Sequence, residues 1–423
     1  VIPPRQWVSS ELKRKPHFIV GSYWLLFAYC ISASLIVRLV APPLPAVVWL
    51  SFSGVILAAI LISWGAEAAQ FVVSQGLAIA IIALLQVVPE FMVEATVAWR
   101  GENDLMLANV TGSNRLLMGV GWALVFVTAD VASRVKHGHG IARIELRRET
   151  FIQVLMLMAS SGYFAFVLMH GILDIVDGIF LLAFFAAYMI LLKKMPEEDA
   201  EKKEDLLAMP RYLATLARPR EQFLKLVGLF AIGGLTMWAM AEPFLDSMKT
   251  IAAGVGVTAF LFVQWIAPFL SEFPETVTAF YWARSIHLAP MALMNLISSK
   301  VSQWTLLVAM IPLVYLVAHG RWEIALNATQ REEVLLSLMM LLYGSITLLK
   351  LYFTRLNALS LFVLWLVQFV FPHQLPLLGA ADWNNTRMLT AAAFGALIVV
   401  ELVKHRNDIH LFETLRVVHA TMK

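Results

Sequence analysis

The sequence predicts an all-α polytopic membrane protein built from two inverted halves, and three observations carry that prediction. Sixty per cent of the 423 residues are apolar and only 14% are charged, against about 45–50% and about 25% in an average soluble domain. The mean hydropathy is +0.75, and the apolar residues form long continuous runs instead of the alternating segments of a membrane barrel. A Pro-Glu pair inside one apolar run recurs inside another in the second half. These features exclude a soluble enzyme and a disordered chain. Cys30 is the single cysteine, which excludes a disulfide scaffold, and a formal charge of +3 is too small to argue for nucleic acid.

A helix needs about 20 mostly apolar residues to cross the hydrocarbon. Twelve stretches qualify: Phe18–Val40, Ala46–Ser63, Phe71–Trp99, Leu105–Ala129, Phe151–Met169, Ile172–Leu192, Phe223–Ala241, Ala252–Ala283, Ala289–Ala318, Val334–Phe353, Leu356–Phe371 and Thr386–Val403. Basic residues favour the cytoplasmic side. Arg5, Lys13, Arg14 and Lys15 precede the first span, so residues 1–17 are expected in the cytoplasm. The basic start runs into a full-length span, which reads as no cleavable leader. Arg134, Lys136, Arg143, Arg147 and Arg148 follow the fourth span, and Lys404 and Arg406 follow the twelfth. Alternate loops are poorer: Arg100 with Glu102 and Asp104, Asp246 with Lys249, and Arg321 and Arg331 with Glu332 and Glu333. Both termini, including the 404–423 tail, are therefore expected inside. The 193–222 stretch, where Pro196 and Pro210 bracket a charged run, reads as a cytoplasmic linker between halves 18–192 and 223–403.

The halves repeat. Gln86–Arg100 reads QVVPEFMVEATVAWR and Leu270–Arg284 reads LSEFPETVTAFYWAR. Asn109 opens N-V-T-G-S-N after the first pair, and Asn295 opens N-L-I-S-S-K after the second. The copies occupy about residues 65–129 and about 240–318, and by span order they run in opposite directions. Such inverted repeats are expected to bring two Pro-broken helices together near the midplane. Proline removes a helical hydrogen bond, and the freed carbonyls can face a cation. An ionisable residue at membrane depth marks an ion path by default. Hard cations need oxygen ligands, which Glu90, Glu275, Ser113, Ser299, Ser271, Thr96 and Thr276 supply. Taken singly, each proline is an ordinary kink and each glutamate a structural partner; two matched copies argue for a site.

At these residues the sequence resembles the calcium/cation antiporter superfamily, of the sodium/calcium exchanger type. The first copy carries L-Q-V-V-P-E-F (Leu85–Phe91) and A-N-V-T-G-S-N (Ala108–Asn114), and the second L-S-E-F-P-E-T (Leu270–Thr276) and M-N-L-I-S-S-K (Met294–Lys300). The resemblance implies an inverted-repeat antiporter fold of ten core spans plus about two extra, about twelve in all. It implies a secondary-active antiporter, not an enzyme, exchanging Ca²⁺ or another cation against Na⁺ or H⁺ by alternating access. No cofactor beyond the transported cation follows from it. Glu90 and Glu275 match the two cation-binding, metal-ligating glutamates. Ser113 and Ser299 match the serines of the second motif half. The family's final Asn/Asp ligand falls on Leu117, which cannot ligate, and on Gln303. Its Thr-Ser before Pro-Glu falls on Gln86-Val87 and on Ser271-Glu272.

The sequence also departs from that pattern. Arg115 follows Asn114, and Lys300 stands at the position matching Asn114; Glu94 and Glu272 add two acids. One reading pairs Glu94 with Arg115 and Glu272 with Lys300 as structural bridges. The other has Arg115 or Lys300 replace one bound cation. These departures also admit an antiporter-like fold that has lost transport and serves as a membrane subunit or scaffold. His137 and His139 lack a third metal ligand and read as a basic turn. His170, Asp174 and Asp177 read as solvated polar residues, and Glu67 and Glu242 as helix-end or inter-repeat contacts. The expected partners are lipids and transported cations, with no nucleic acid; a homo-oligomer or partner subunit stays open. The expected location is the bacterial inner (plasma) membrane.

Overall fold

In the computed structural model the described residues are 16–40, 42–69, 71, 87–146, 150–194, 206–375, 378, 384–406 and 408. The expected N-terminal segment to residue 15, the upstream part of the third span (72–86), the middle of the linker (195–205) and most of the tail lie outside them. The elements are α1 (Pro16–Leu35), α2 (Leu44–Ala69), α3 (Val88–Arg100), α4 (Ala108–Leu116), α5 (Trp122–His137), β1 (Arg143–Glu145), α6 (Thr150–His170), β2 (Ile172–Asp174), α7 (Ile175–Lys194) and α8 (Ala208–Ala214). They continue with α9 (Pro219–Val255), α10 (Ala259–Ser271), α11 (Phe273–Ala283), α12 (Ala289–Ser302), α13 (Val308–His319), β3 (Glu323–Ala325), α14 (Ala328–Leu348), β4 (Tyr352–Thr354), α15 (Arg355–Val370) and α16 (Thr386–Lys404). Among the described residues, 8 helices are long and apolar enough to cross a membrane, and α10 and α15 are shorter apolar helices.

The chain packs as two compact units, residues 1–92 with 197–251 and residues 93–196 with 252–423, so each draws on both sequence halves. In the first unit, α1, α2, α8 and α9 close on a core of Tyr23, Phe27, Cys30, Leu61, Met209, Leu213 and Leu229. Small residues let α2 and α9 approach: Gly54 faces Met240, and Gly233 lies over Ala58 and Ile62. Arg38 pairs with Glu242 at 2.9 Å; Glu242 lies inside the long α9 and not at the helix end expected of it. The seventh span is longer than expected. α9 has 37 residues, about 55 Å of helix against about 30 Å of hydrocarbon. Asp246 and Lys249, expected in a loop, lie within it; the chain turns at Gly256, whose φ of 72° suits glycine.

The second unit carries an internal repeat more extensive than the motifs suggested. α4 and α5 are joined by a π-helical turn at Leu117–Gly121, and α12 and α13 by one at Gln303–Leu307. Both helices then end on a left-handed glycine, Gly138 and Gly320. A three-residue strand, a 21-residue helix, a second strand and a further helix follow in each copy: β1-α6-β2-α7 and β3-α14-β4-α15. Among the described residues, two short strand ladders accompany the helices. β1 pairs antiparallel with β4 (Ile144 opposite Phe353), and β2 with β3 (Leu173 opposite Ile324). The first strand of each copy thus pairs with the second strand of the other.

The helices after these strands start on the same reciprocal device. Asp174 and Asp177 each accept from the other's backbone N–H at 2.9 Å, and Thr354 and Asn357 form a capping box. Asp177 is buried and also accepts from Tyr163 at 2.6 Å, so it is a cap and not the solvated acid expected. α4 packs against α10 at Gly112, where a Cβ would collide with the Gln264 carbonyl. A backbone obstacle cannot rotate away, and overpacking costs about 1–3 kcal/mol. Gly112→Ala is therefore expected to lower the melting temperature of the purified protein. Gly162→Ala, whose Cβ would meet nothing, is expected to leave it unchanged or slightly raised. Equal melting curves for the two variants refute the close crossing.

Candidate ion site and buried charge networks

Both Pro-Glu pairs lie in the first turn of a helix. α3 begins at Val88, which puts Pro89 and Glu90 in that turn. α10 ends at Ser271, Glu272 interrupts the helix, and α11 carries Pro274 and Glu275 in its first turn. The eighth span is therefore broken, as the sequence led us to expect. Proline is tolerated at a helix start because the amide it lacks would have no helical acceptor there. The glutamate after it gains from the positive end of the helix dipole. Glu90 is 1% exposed and Glu275 7% exposed, so both carboxylates are shut from bulk solvent.

Glu94 serves another helix start. Its carboxylate Oε1 accepts from the Val110 amide at 3.2 Å. The first turn of a helix leaves its N–H groups unmatched, and the buried Glu94 carboxylate takes the Val110 amide of α4's first turn. The expected Glu94–Arg115 bridge is thereby corrected: Glu94 is committed to backbone, and Arg115 turns elsewhere.

The expected Glu272–Lys300 bridge is present and larger than a pair. Lys300 Nζ lies 3.4 Å from Glu272 Oε1 and donates to the Ser113 carbonyl at 3.0 Å. It also donates to Gln303 Oε1, and Gln303 Nε2 donates to Glu272 Oε1. Both ends of the Gln303 amide are thus engaged. Ser271 is buried and donates back to the Ala267 carbonyl at 3.2 Å. The hydroxyls of Ser113 and Ser299 and the side-chain amides of Asn109 and Asn114 are buried without a hydrogen-bond partner among the described residues. Unmatched buried polar atoms are uncommon, and hydroxyl and amide oxygens are the ligands a hard cation takes. The structure thus brings Ser113, Ser271, Glu272, Lys300 and Gln303 into one unit with Glu275 and Ser299. Glu90 belongs to the other unit.

Arg115 belongs to a network the sequence reading missed. It pairs with Glu333 at 2.5 Å, donates to Gln368 at 3.2 Å and to the Thr111 carbonyl at 3.2 Å, and its guanidinium lies 5.1 Å from the Trp265 ring. Arg387, at the start of α16, bonds the other Glu333 oxygen at 2.6 Å and Glu332 at 3.3 Å. Glu332 and Glu333 were expected in a loop; both lie in α14, which starts at Ala328, and Glu333 is 1% exposed. Two adjacent acids at the start of an apolar run, with Arg387 at the start of another, are the only sequence signal of this contact. A further buried pair joins Lys350 to Glu401 at 3.0 Å, with Asn357 donating to the same carboxylate at 2.6 Å.

Comparisons with known proteins follow the same fold. The family model described as sodium/calcium exchanger protein matches residues 43–194 and 225–372. The crystal structure of an H⁺/Ca²⁺ exchanger, CAX, is 29% identical with a TM-score of 0.84, covering 96% of this chain and 99% of that one. YfkE is 12% identical with a TM-score of 0.56, covering 88% and 99%. The sodium-calcium exchanger NCX_Mj is 16% identical with a TM-score of 0.51, covering 77% and 97%. The last two are likenesses of fold. No curated protein matches the sequence.

Removing one member of a buried pair costs about 3–5 kcal/mol because the other charge is left uncompensated. Glu333→Ala is therefore expected to lower thermal stability by about that much. Arg115→Lys is expected to lose most of it too, since an ammonium cannot reach Glu333, Gln368 and the Trp265 face together. Melting curves of the purified variants check this; wild-type stability in Arg115→Lys would mean that charge alone matters.

Proposed function

Because the chain belongs to the sodium/calcium exchanger protein family, we propose that it is a secondary-active cation antiporter. It exchanges Ca²⁺ or another cation against Na⁺ or H⁺ by alternating access. Glu90 and Glu275 are the carboxylates that take up cation or proton, with Ser113 and Ser299 as oxygen donors. The observation that carries this reading is the repeated helix start: a proline, then a buried glutamate, once in each copy. The likeness to the H⁺/Ca²⁺ exchanger over 96% of the chain favours the proton as counter-ion and Ca²⁺ as cargo. Basic loops at alternate span ends support an orientation with both termini in the cytoplasm, and we place the protein in the bacterial inner membrane.

A second reading has its own support. Leu117 offers no ligand, and the Gln303 amide is committed to Lys300 and Glu272. On that reading the chain keeps the exchanger architecture without transport and acts as a membrane subunit or scaffold.

Reconstitution into proteoliposomes separates the two. Under the antiporter reading, an imposed pH gradient drives Ca²⁺ flux, and Glu90→Gln and Glu275→Gln each abolish it while the proteins stay folded. Each substitution preserves shape and hydrogen bonding but removes a charge and a titratable proton. Normal flux in either variant removes that glutamate from the coupling. No flux under Ca²⁺, Na⁺, K⁺ or H⁺ gradients in the wild type leaves the scaffold reading standing.

A further inference from the structure

The π-helical turns and the Pro-Glu helix starts put the two copies of the repeat in register, and three buried positions differ together. Where the first copy has Val87, Asn114 and Leu117, the second has Glu272, Lys300 and Gln303. The three second-copy side chains touch one another, and the lysine also reaches the Ser113 carbonyl of the first copy. Lys300 is 0% exposed, Gln303 0% and Glu272 1%.

Without the ammonium, these groups are a carboxylate oxygen, an amide oxygen and a backbone carbonyl oxygen. That is an oxygen cage carrying one negative charge. A single positive charge neutralises it, whereas a dication would leave a net buried charge, which is costly at membrane depth. A simple ion pair would require neither the carbonyl from the opposite copy nor a glutamine bridging both charges.

We propose that Lys300 is a tethered cation filling a monovalent-cation cage in the second repeat, and that it thereby bars Na⁺ and K⁺ from the exchange. The cage itself rests on the geometry alone; only its consequence for exchange rests on the antiporter reading above. In the first copy the matching residues are uncharged, and no such cage is built.

The test removes the tether and offers a free ion in its place. Purified full-length protein is melted in N-methylglucamine, sodium and potassium chlorides at equal ionic strength. The wild type is expected to melt alike in all three. Lys300→Ser is expected to lose roughly 10 °C in N-methylglucamine and to recover most of that loss, saturably, with Na⁺ or K⁺. The double substitution Glu272→Gln with Lys300→Met removes both charges, and it is expected to fold with a melting temperature independent of the salt. In proteoliposomes, a Na⁺ or K⁺ gradient is expected to drive divalent-cation flux through Lys300→Ser and not through the wild type. Equal instability of Lys300→Ser in every salt, or its recovery only when Glu272 is also neutralised, makes Lys300 a bridge partner and overturns the proposal. A wild type with no flux at all refutes the antiporter reading and leaves the salt titration to decide the cage.

Discussion

Every charge placed at membrane depth has to be matched within the protein, because lipid supplies neither counter-ion nor hydrogen bond. That constraint organises the second unit. Glu94 accepts from the Val110 amide in the first turn of α4. Arg115 is satisfied by Glu333, which in turn holds Arg387. Lys350 meets Glu401, and Lys300 meets Glu272. Each match joins separate elements, so the polar groups act as selective joints in an otherwise non-directional apolar core. α16 shows the effect: Arg387 fastens its first turn to α14, and Glu401 fastens its last turns to Lys350 just beyond the end of α14. A helix attached only by apolar packing in lipid would have no such register.

The two copies share a frame and differ in chemistry. Matching π turns, left-handed glycines, strand exchanges and reciprocal caps recur at corresponding points. Hydrogen-bond closure of helix ends and loops explains this recurrence, since a backbone buried in or near lipid must satisfy its own groups. The side chains at the paired positions obey no such rule. One copy presents Asn114 and Leu117, and the other Lys300 and Gln303. Two equal copies of the architecture thus yield unequal electrostatics.

Membrane class, the positions of most spans and the two Pro-Glu helix starts were legible in the sequence alone. Apolar run length answers to hydrocarbon thickness, and proline answers to helix geometry, so both are local properties that the sequence states directly. The Glu272–Lys300 contact was legible as well, because the repeat put both residues in corresponding parts of one motif. The length of α9, the two short ladders and the caps at Asp177 and Asn357 were not. They depend on what each loop meets, and turn-rich segments between apolar runs carry little signal of that.

Composition and periodicity thus determined that this chain crosses a membrane as two inverted helical repeats, with a carboxylate beside a proline in each. Only the tertiary structure decided which charge Arg115 faces. Arg115 has Glu94 near it in sequence and Glu333 far along the chain, yet Glu94 is taken by the Val110 amide of α4 and Glu333 is delivered by α14. The physical reason is that a buried charge goes to whichever partner the packing brings to hydrogen-bonding distance with its remaining valences free. Helix packing sets that distance, and sequence spacing does not encode it.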